Sequence, residues 1–107
     1  MLTAAKMRRM RGTDTFEHAS GGFVKYHDTV VVSWDNVPVR YGSRNLRFIR
    51  LHTGGWLTPA TRRRMNQASD CFGLGFRVYQ KDYVFYVDYR GKTYRFFQNE
   101  VRLEREG

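Results

Sequence analysis

The sequence predicts a small single domain of the α+β class, built from an antiparallel sheet and one helix. The chain has 107 residues, of which 41% are hydrophobic and 16% are aromatic. This is enough for one buried core and too little for two domains. Short β-branched or aromatic runs separated by turn residues predict strands, and one longer segment is bounded by residues that start and stop helices.

Three segments are expected to supply the N-terminal strands. Residues 29–34 are rich in valine and are typical of a strand. Residues 37–41 contain Pro38, which cannot donate a hydrogen bond to a neighbouring strand, so this segment is predicted at a sheet edge or at a turn. Residues 46–51 alternate apolar and arginine side chains, although their arginines also fit a helical stripe. Their short length favours a strand.

The helix is predicted over residues 58–72. Thr58 suits the N-cap, Pro59 the first helical position and Gly73 a left-handed C-cap. Because successive side chains turn by about 100° along a helix, four residues fall on one narrow stripe that is expected to face the core. These are Thr61, Met65, Ala68 and Phe72. The opposite side, expected to be exposed, includes Arg62, Arg63, Asn66, Gln67 and Asp70.

A three-stranded antiparallel meander is predicted after the helix. Its two-residue hairpin turns are expected at Lys81-Asp82 and at Arg90-Gly91. Both faces of the middle strand carry apolar or aromatic side chains, so this strand is predicted to be central in its sheet. Residues 101–107 alternate weakly and are consistent with a further edge strand. The three meander strands are predicted at 75–80, 83–89 and 92–97.

Residues 1–22 are predicted to form a flexible basic arm, with the domain proper spanning 23–107. The arm contains a run of cations, and turn residues from Gly12 onward interrupt any longer element. The alternative is a short helix that packs on the domain through Met7 and Met10.

Charge is the strongest functional signal in the sequence. Nineteen Lys and Arg residues oppose ten Asp and Glu residues, which gives a net charge of +9, and fifteen of the cations are arginine. Arginine forms bidentate contacts with phosphate or carboxylate groups and stacks on bases. No acidic residue occurs between Asp35 and Asp70, an interval that holds seven arginines. The composition therefore indicates a polyanionic or acidic partner.

Nucleic acid is the first predicted partner, because Arg, Asn and Gln contact phosphates and read purine edges. The predicted contacts are Arg62, Arg63, Asn66 and Gln67 on the helix, Arg40, Arg44, Arg47 and Arg50 in the segment before it, and Arg8 and Arg9 in the arm. A weaker possibility is base stacking on an open sheet face. Its candidate residues are Tyr79, Tyr83, Tyr86, Tyr89 and Tyr94.

The alternative partner is an acidic surface of a host protein, which would make this chain a protein-binding inhibitor of a host or defence complex. In that case exposed apolar residues such as Trp56 or Tyr83 are expected to matter at least as much as the arginines. The positive net charge argues against an acidic mimic of DNA.

Enzymatic activity is not predicted, and neither a metal nor a small-molecule cofactor is expected. The histidines (His18, His27 and His52) are far apart in sequence and lack metal-ligand spacing. Cys71 falls in the last helical turn, where the helix dipole disfavours a thiolate. With one cysteine and no membrane-spanning or signal-peptide stretch, a reducing cytoplasmic setting is expected.

The glycines before the helix allow two interpretations. Gly54 and Gly55 could present backbone N–H groups to a phosphate beside the helix N-terminus. Alternatively, they only let the chain turn sharply while Trp56 fills the core.

The segment 51–67, together with 72–79, resembles a group of small bacteriophage proteins with a Gly-Trp-x-Thr-x-x-Thr motif followed by basic residues and Met-Asn. Within the motif Gly-Gly-Trp occupies 54–56 and Arg-Arg-Arg-Met-Asn-Gln occupies 62–67. The resemblance covers residues 29–97 approximately. It implies a phage accessory protein acting in the cytoplasm of the infected host cell, and it brings no catalytic residues.

Overall fold

Nine strands and two helices make up most of residues 2–105, the part of the chain that the computed structural model describes. In chain order they are α1 (Ala4–Arg8), β1 (Thr13–His18), β2 (Gly21–Tyr26), β3 (Thr29–Asp35), β4 (Val39–Tyr41), β5 (Arg44–His52), α2 (Pro59–Phe72), β6 (Phe76–Lys81), β7 (Val84–Tyr89), β8 (Lys92–Arg95) and β9 (Glu100–Arg105). The predicted α+β class is confirmed.

The larger sheet is antiparallel and has six strands in the order β1-β2-β3-β5-β4, with β9 also paired to β5. The long strand β5 organises it. Its C-terminal half pairs with β3 through Val32↔Leu51 and its N-terminal half with β4 through Val39↔Leu46. The predicted edge position of the Pro38 segment is confirmed, because β4 pairs with β5 alone. Residues 46–51 form a strand, as their short length predicts.

The smaller sheet is the predicted meander, β6-β7-β8, with β7 in the centre. The turn at Arg90-Gly91 has positive φ angles at both residues, as a type I′ turn requires. The first turn is displaced by one residue from its prediction. Lys81 pairs with Val84, so Asp82 and Tyr83 form the turn, with φ angles of 51° and 67°. Cross-strand packing of the buried face fixes this register, in the absence of any glycine to mark the turn.

Helix α2 has the predicted ends. The Thr58 hydroxyl accepts the N–H of Thr61 at 3.2 Å, and Gly73 has a φ of 63°. The predicted inward stripe is confirmed at Thr61, Met65 and Ala68, which are buried, as is Ser69. Phe72 is half-buried and packs on Trp34 with ring centroids 4.6 Å apart.

The core lies between one face of the six-stranded sheet, α2 and the meander. It contains Val24, Val32, Ile49, Leu51, Met65, Val78, Phe85, Val87 and Leu103, all buried. This arrangement leaves the other face of each sheet, the outer surfaces of both helices and the turns available to partners.

Residues 4–22 differ from the separate arm that the sequence predicts. Thr13–His18 is a full strand paired with β2, and the predicted domain boundary at residue 23 falls inside that hairpin. Met7 of α1 is 0% exposed and belongs to the core, as in the alternative interpretation, while Met10, which follows the helix, is half-buried. The sequence does not predict this strand because threonine supplies its buried positions, so its apolar alternation is weak. The segment forms a strand through its pairing with β2.

Candidate nucleic-acid interface

The amide of Asn66 is engaged with the free edge of the meander rather than with solvent. Its Nδ2 donates to the carbonyl of Val78 at 2.9 Å, and its Oδ1 accepts the Val78 N–H at 2.7 Å. One turn later, Ser69 Oγ donates to the carbonyl of Phe76 at 2.7 Å and accepts its N–H at 2.9 Å. Together these two side chains of α2 hydrogen-bond the backbone N–H and carbonyl groups along the edge of β6, as a further strand would.

The predicted exposed side of α2 is consequently much smaller than helical spacing suggests. Arg62 lies over the Phe85 ring, 5.9 Å from its centroid, and its Nε is buried. Gln67 accepts a hydrogen bond from Arg64, whose Nε donates to Thr13 Oγ1 at 2.8 Å. Of the four predicted helix contacts, Arg63 alone is exposed. The expectation that Arg62, Asn66 and Gln67 point freely into solvent is wrong. Asn66 is bound to β6, Arg62 lies on a ring of β7, and Gln67 is bound to Arg64.

Arg50 and Arg47 of β5 form hydrogen bonds to residues around the segment that connects β3 to β4. The Arg50 guanidinium donates to both carboxylate oxygens of Asp35, at 3.2 and 2.9 Å, and to the Tyr41 hydroxyl at 2.7 Å. Asp35 also accepts the N–H of Phe48 at 3.0 Å, and Arg47 donates to the carbonyl of Asn36 at 3.2 Å. These bonds satisfy backbone groups that the interruption would otherwise leave without partners.

The charge state of Arg50 follows from this geometry. Burial by itself lowers the pKa of its guanidinium, but the hydrogen bonds to Asp35 and Tyr41 and the charge of Asp35 outweigh burial and raise the pKa above its ordinary value. Arg50 is therefore a fixed cation, and three of its five N–H donors are bound to Asp35 and Tyr41.

The remaining predicted arginines are accessible. Arg40 is exposed on β4, where its Nε donates to the carbonyl of Gly42 at 3.1 Å, and Arg44 forms an exposed ion pair with Glu104 at 3.4 Å. Such surface pairs contribute little to stability and are easily exchanged for other anions. Arg8 and Arg9 are exposed at the C-terminal end of α1.

A group of exposed cations lies on the two helices and on the residues that follow α1, and the helices contact each other. We call this surface the helical layer. It includes Lys6 and Arg11, which the predicted set omitted although they lie in the same basic run. The carboxylate of Asp70, near the far end of α2, forms an ion pair with Arg77 at 3.1 Å. The exposed cations of the helical layer are Lys6, Arg8, Arg9, Arg11 and Arg63.

The loop before α2 has its amides occupied by its own side chains. His52 Nδ1 accepts the N–H of Gly54 at 2.9 Å, and Thr53 Oγ1 accepts the N–H of Gly55 at 3.1 Å. These amides therefore do not form a phosphate cradle. The expectation that Trp56 fills the core is also wrong, because its side chain is 67% exposed.

The tyrosines divide between the two faces of the meander. Tyr79 and Tyr86 stack on its outer face with centroids 5.6 Å apart, and Tyr83 is 88% exposed at the turn. Tyr89 is buried on the inner face, and Tyr94 is half-buried. One pair of rings is thus available for stacking.

Cys71, the single cysteine of the sequence, lies in the last turn of α2. The Cys71 thiol is half-buried, and burial together with the negative charge of Glu17 raises its pKa. It is therefore mostly protonated at neutral pH. Within residues 2–105, His, Cys, Asp and Glu side chains form no group of three that could hold a metal ion. In the same part of the chain, no helix has the length and apolar character needed to cross a bilayer.

The comparison with known proteins identifies a family for this chain. No curated protein and no solved structure matches the chain. The family model of the Kyanoviridae Gp96 protein matches residues 13–104, which begin at the first residue of β1 and end in β9. The match thus includes both sheets and α2, and it confirms a phage protein family. The chain belongs to the Kyanoviridae Gp96 protein family of bacteriophages.

Proposed function

We propose that the protein is a non-enzymatic, nucleic-acid-binding phage protein that contacts the phosphate backbone through its helical layer and acts inside the infected host cell. The observation that carries the proposal is the charge asymmetry of this layer. Its segments, residues 4–11 and 59–72, expose five cations and contain one carboxylate, that of Asp70, which is paired with Arg77. A surface with one sign of charge attracts a polyanion and releases its condensed counterions.

The mode of binding that this surface supports is independent of base sequence. Asn66 is the helix residue best suited to reading an adenine edge, but both its donor and its acceptor are bound to Val78. Gln67 is bound to Arg64. Exposed arginines remain, and these contact phosphates, which position a protein on nucleic acid without specifying sequence.

Binding of labelled duplex and single-stranded oligonucleotides, measured by fluorescence anisotropy across a salt series, tests the proposal. The double variant Arg9→Gln, Arg63→Gln removes two exposed cations while keeping good helix formers. We expect binding to weaken about tenfold at moderate salt. The slope of log K against log salt should fall by about 2, because two phosphate contacts are lost.

The matched control removes two exposed cations of the meander instead, in the double variant Lys81→Gln, Arg95→Gln. The control loses the same net charge from a different part of the surface. It therefore measures how much affinity depends on net charge alone. Equal losses in the two double variants would show diffuse attraction and contradict the helical layer as the binding surface. No binding by the wild-type protein at low salt would reject nucleic acid as the partner.

A second candidate function is inhibition of a host or defence complex by protein–protein contact, and Trp56 favours it. Its exposed indole lies beside an apolar concavity lined by Tyr26, Val31 and Thr61. Exposed tryptophans often anchor protein interfaces. If this function holds, a nuclease-treated host lysate should yield a bound protein that Trp56→Ser loses at least tenfold, while Arg9→Gln, Arg63→Gln retains it. Retention by Trp56→Ser would contradict this candidate.

A further inference from the structure

A basic concavity of about 470 Å³ lies where the β4–β5 end of the larger sheet meets the β7–β8 turn of the meander. Its volume is in the range of small-molecule sites, roughly 300–1,000 Å³. It is distinct from the helical layer, since none of its lining residues belongs to α1 or α2. The side chains that define it are Arg47, Arg90, Lys92, Arg105, Tyr89 and Tyr94.

Four cations converge here from three separate parts of the chain. Arg47 comes from β5, Arg105 from β9, and Arg90 and Lys92 from the β7–β8 turn. Burial lowers the pKa of Arg105, and the positive charges of Arg47 and Arg90 lower it further. The positive charges here are therefore close enough to act on one another, which is the electrostatic pattern expected of an anion-binding site.

The orientation of Arg105 is fixed by the sheet behind it. Its Nη1 donates to the carbonyl of Asp35 at 2.7 Å and to Asn36 Oδ1 at 3.2 Å. The one carboxylate lining the concavity among the described residues is that of Glu104, which forms the ion pair with Arg44. The concavity thus combines a preorganised guanidinium with an excess of positive charge.

Two tyrosines add aromatic surface to the basic concavity. Tyr89 is buried, and the Arg90 guanidinium lies over its ring, 5.3 Å from the centroid. Tyr94 is half-buried on the neighbouring strand, where it pairs with Val87, two positions before Tyr89 on β7. Inorganic anions need only the cations, whereas aromatic rings beside them suit a ligand that also has a sugar or a base.

We propose that this concavity binds the terminal phosphate of a nucleotide, with Arg105, Arg90 and Lys92 around the phosphate and Tyr94 against the sugar or base. Guanidinium groups match phosphate oxygens in bidentate geometry, and several cations around one group suit the nearly double negative charge of a terminal phosphate better than the single charge of a carboxylate. The same chemistry is presented by a free nucleotide and by the 5′-phosphorylated end of a nucleic-acid strand. The proposal does not depend on the helical layer.

Calorimetric titration of the full chain tests the site with four probes. These are AMP, adenosine, a 5′-phosphorylated hexanucleotide and the same hexanucleotide with a 5′-hydroxyl. We expect AMP and the phosphorylated strand to bind at least tenfold more tightly than their counterparts without the terminal phosphate. Equal binding of AMP and the phosphorylated strand identifies a free nucleotide as sufficient, and a further gain for the strand identifies its end. Both outcomes support the site.

The variant Arg90→Asn, Lys92→Gln removes two of the cations at an exposed turn, and asparagine tolerates the left-handed conformation of residue 90. We expect it to lose the phosphate preference, with Lys81→Gln, Arg95→Gln as the control that retains it. Arg9→Gln, Arg63→Gln should also retain it, which separates this site from the helical layer. Equal binding of AMP and adenosine to the wild type, or an unchanged preference in the turn variant, would overturn the proposal.

Discussion

Replacing Met65 by aspartate is expected to unfold the domain. Met65 is 0% exposed and lies at the centre of the inward stripe of α2, packed within the core. An aspartate there must either bury a charge or, when protonated, bury a polar group, and in both forms it removes the apolar contacts of the methionine. The cost exceeds about 4 kcal/mol, which is comparable to the whole stability of a small domain, on the order of 5–15 kcal/mol.

Circular dichroism and urea denaturation measure this effect. Met65→Leu is the matched control, since a volume-conserving apolar exchange costs less than about 1.5 kcal/mol and should leave a cooperative transition close to that of the wild type. Met65→Asp should show no cooperative transition at 25 °C. A cooperatively folded Met65→Asp protein with the wild-type midpoint would mean that another face of α2 meets the sheet.

The elements that could be predicted from sequence are those whose signals are local. The cap of α2 at Thr58 and its end at Gly73 are set within a few residues of chain, so sequence and structure agree there. The meander is similar, because alternation in β7 and the glycine of the Arg90-Gly91 turn are read directly from neighbouring residues.

Elements that depend on a distant partner could not be predicted. Strand β1 has buried threonines rather than an apolar stripe, and it is a strand because β2 pairs with it. The expected exposure of Arg62, Asn66 and Gln67 was wrong for the same reason. Nothing local in Arg50 indicates that Asp35, fifteen positions earlier, occupies its guanidinium once β3 and β5 pair. Composition gives the sign of the charge correctly, but only the fold decides which arginines remain available.

Replacing Asn66 by alanine is expected to destabilise the domain by about 2–4 kcal/mol. The change leaves both the N–H and the carbonyl of Val78 without their partner at the buried edge of β6, and each such group costs about 1–3 kcal/mol. Gln67→Ala is the control from the adjacent position. It removes one acceptor from Arg64, which keeps its bond to Thr13, so the loss should stay below about 1 kcal/mol.

The same two variants are compared by urea denaturation and by oligonucleotide anisotropy. Together the two measurements separate the structural role of Asn66 from the nucleic-acid contact that the sequence predicts for it. The folded Asn66→Ala protein should bind nucleic acid as the wild type does, because its amide is committed to Val78 and cannot also reach a base. A loss of affinity without a loss of stability would require the helix to leave β6 on binding. We expect the Asn66 variant to lose stability and the Arg63 variant to lose affinity. That combination would show that one side of α2 packs in the fold and the other side contacts the partner.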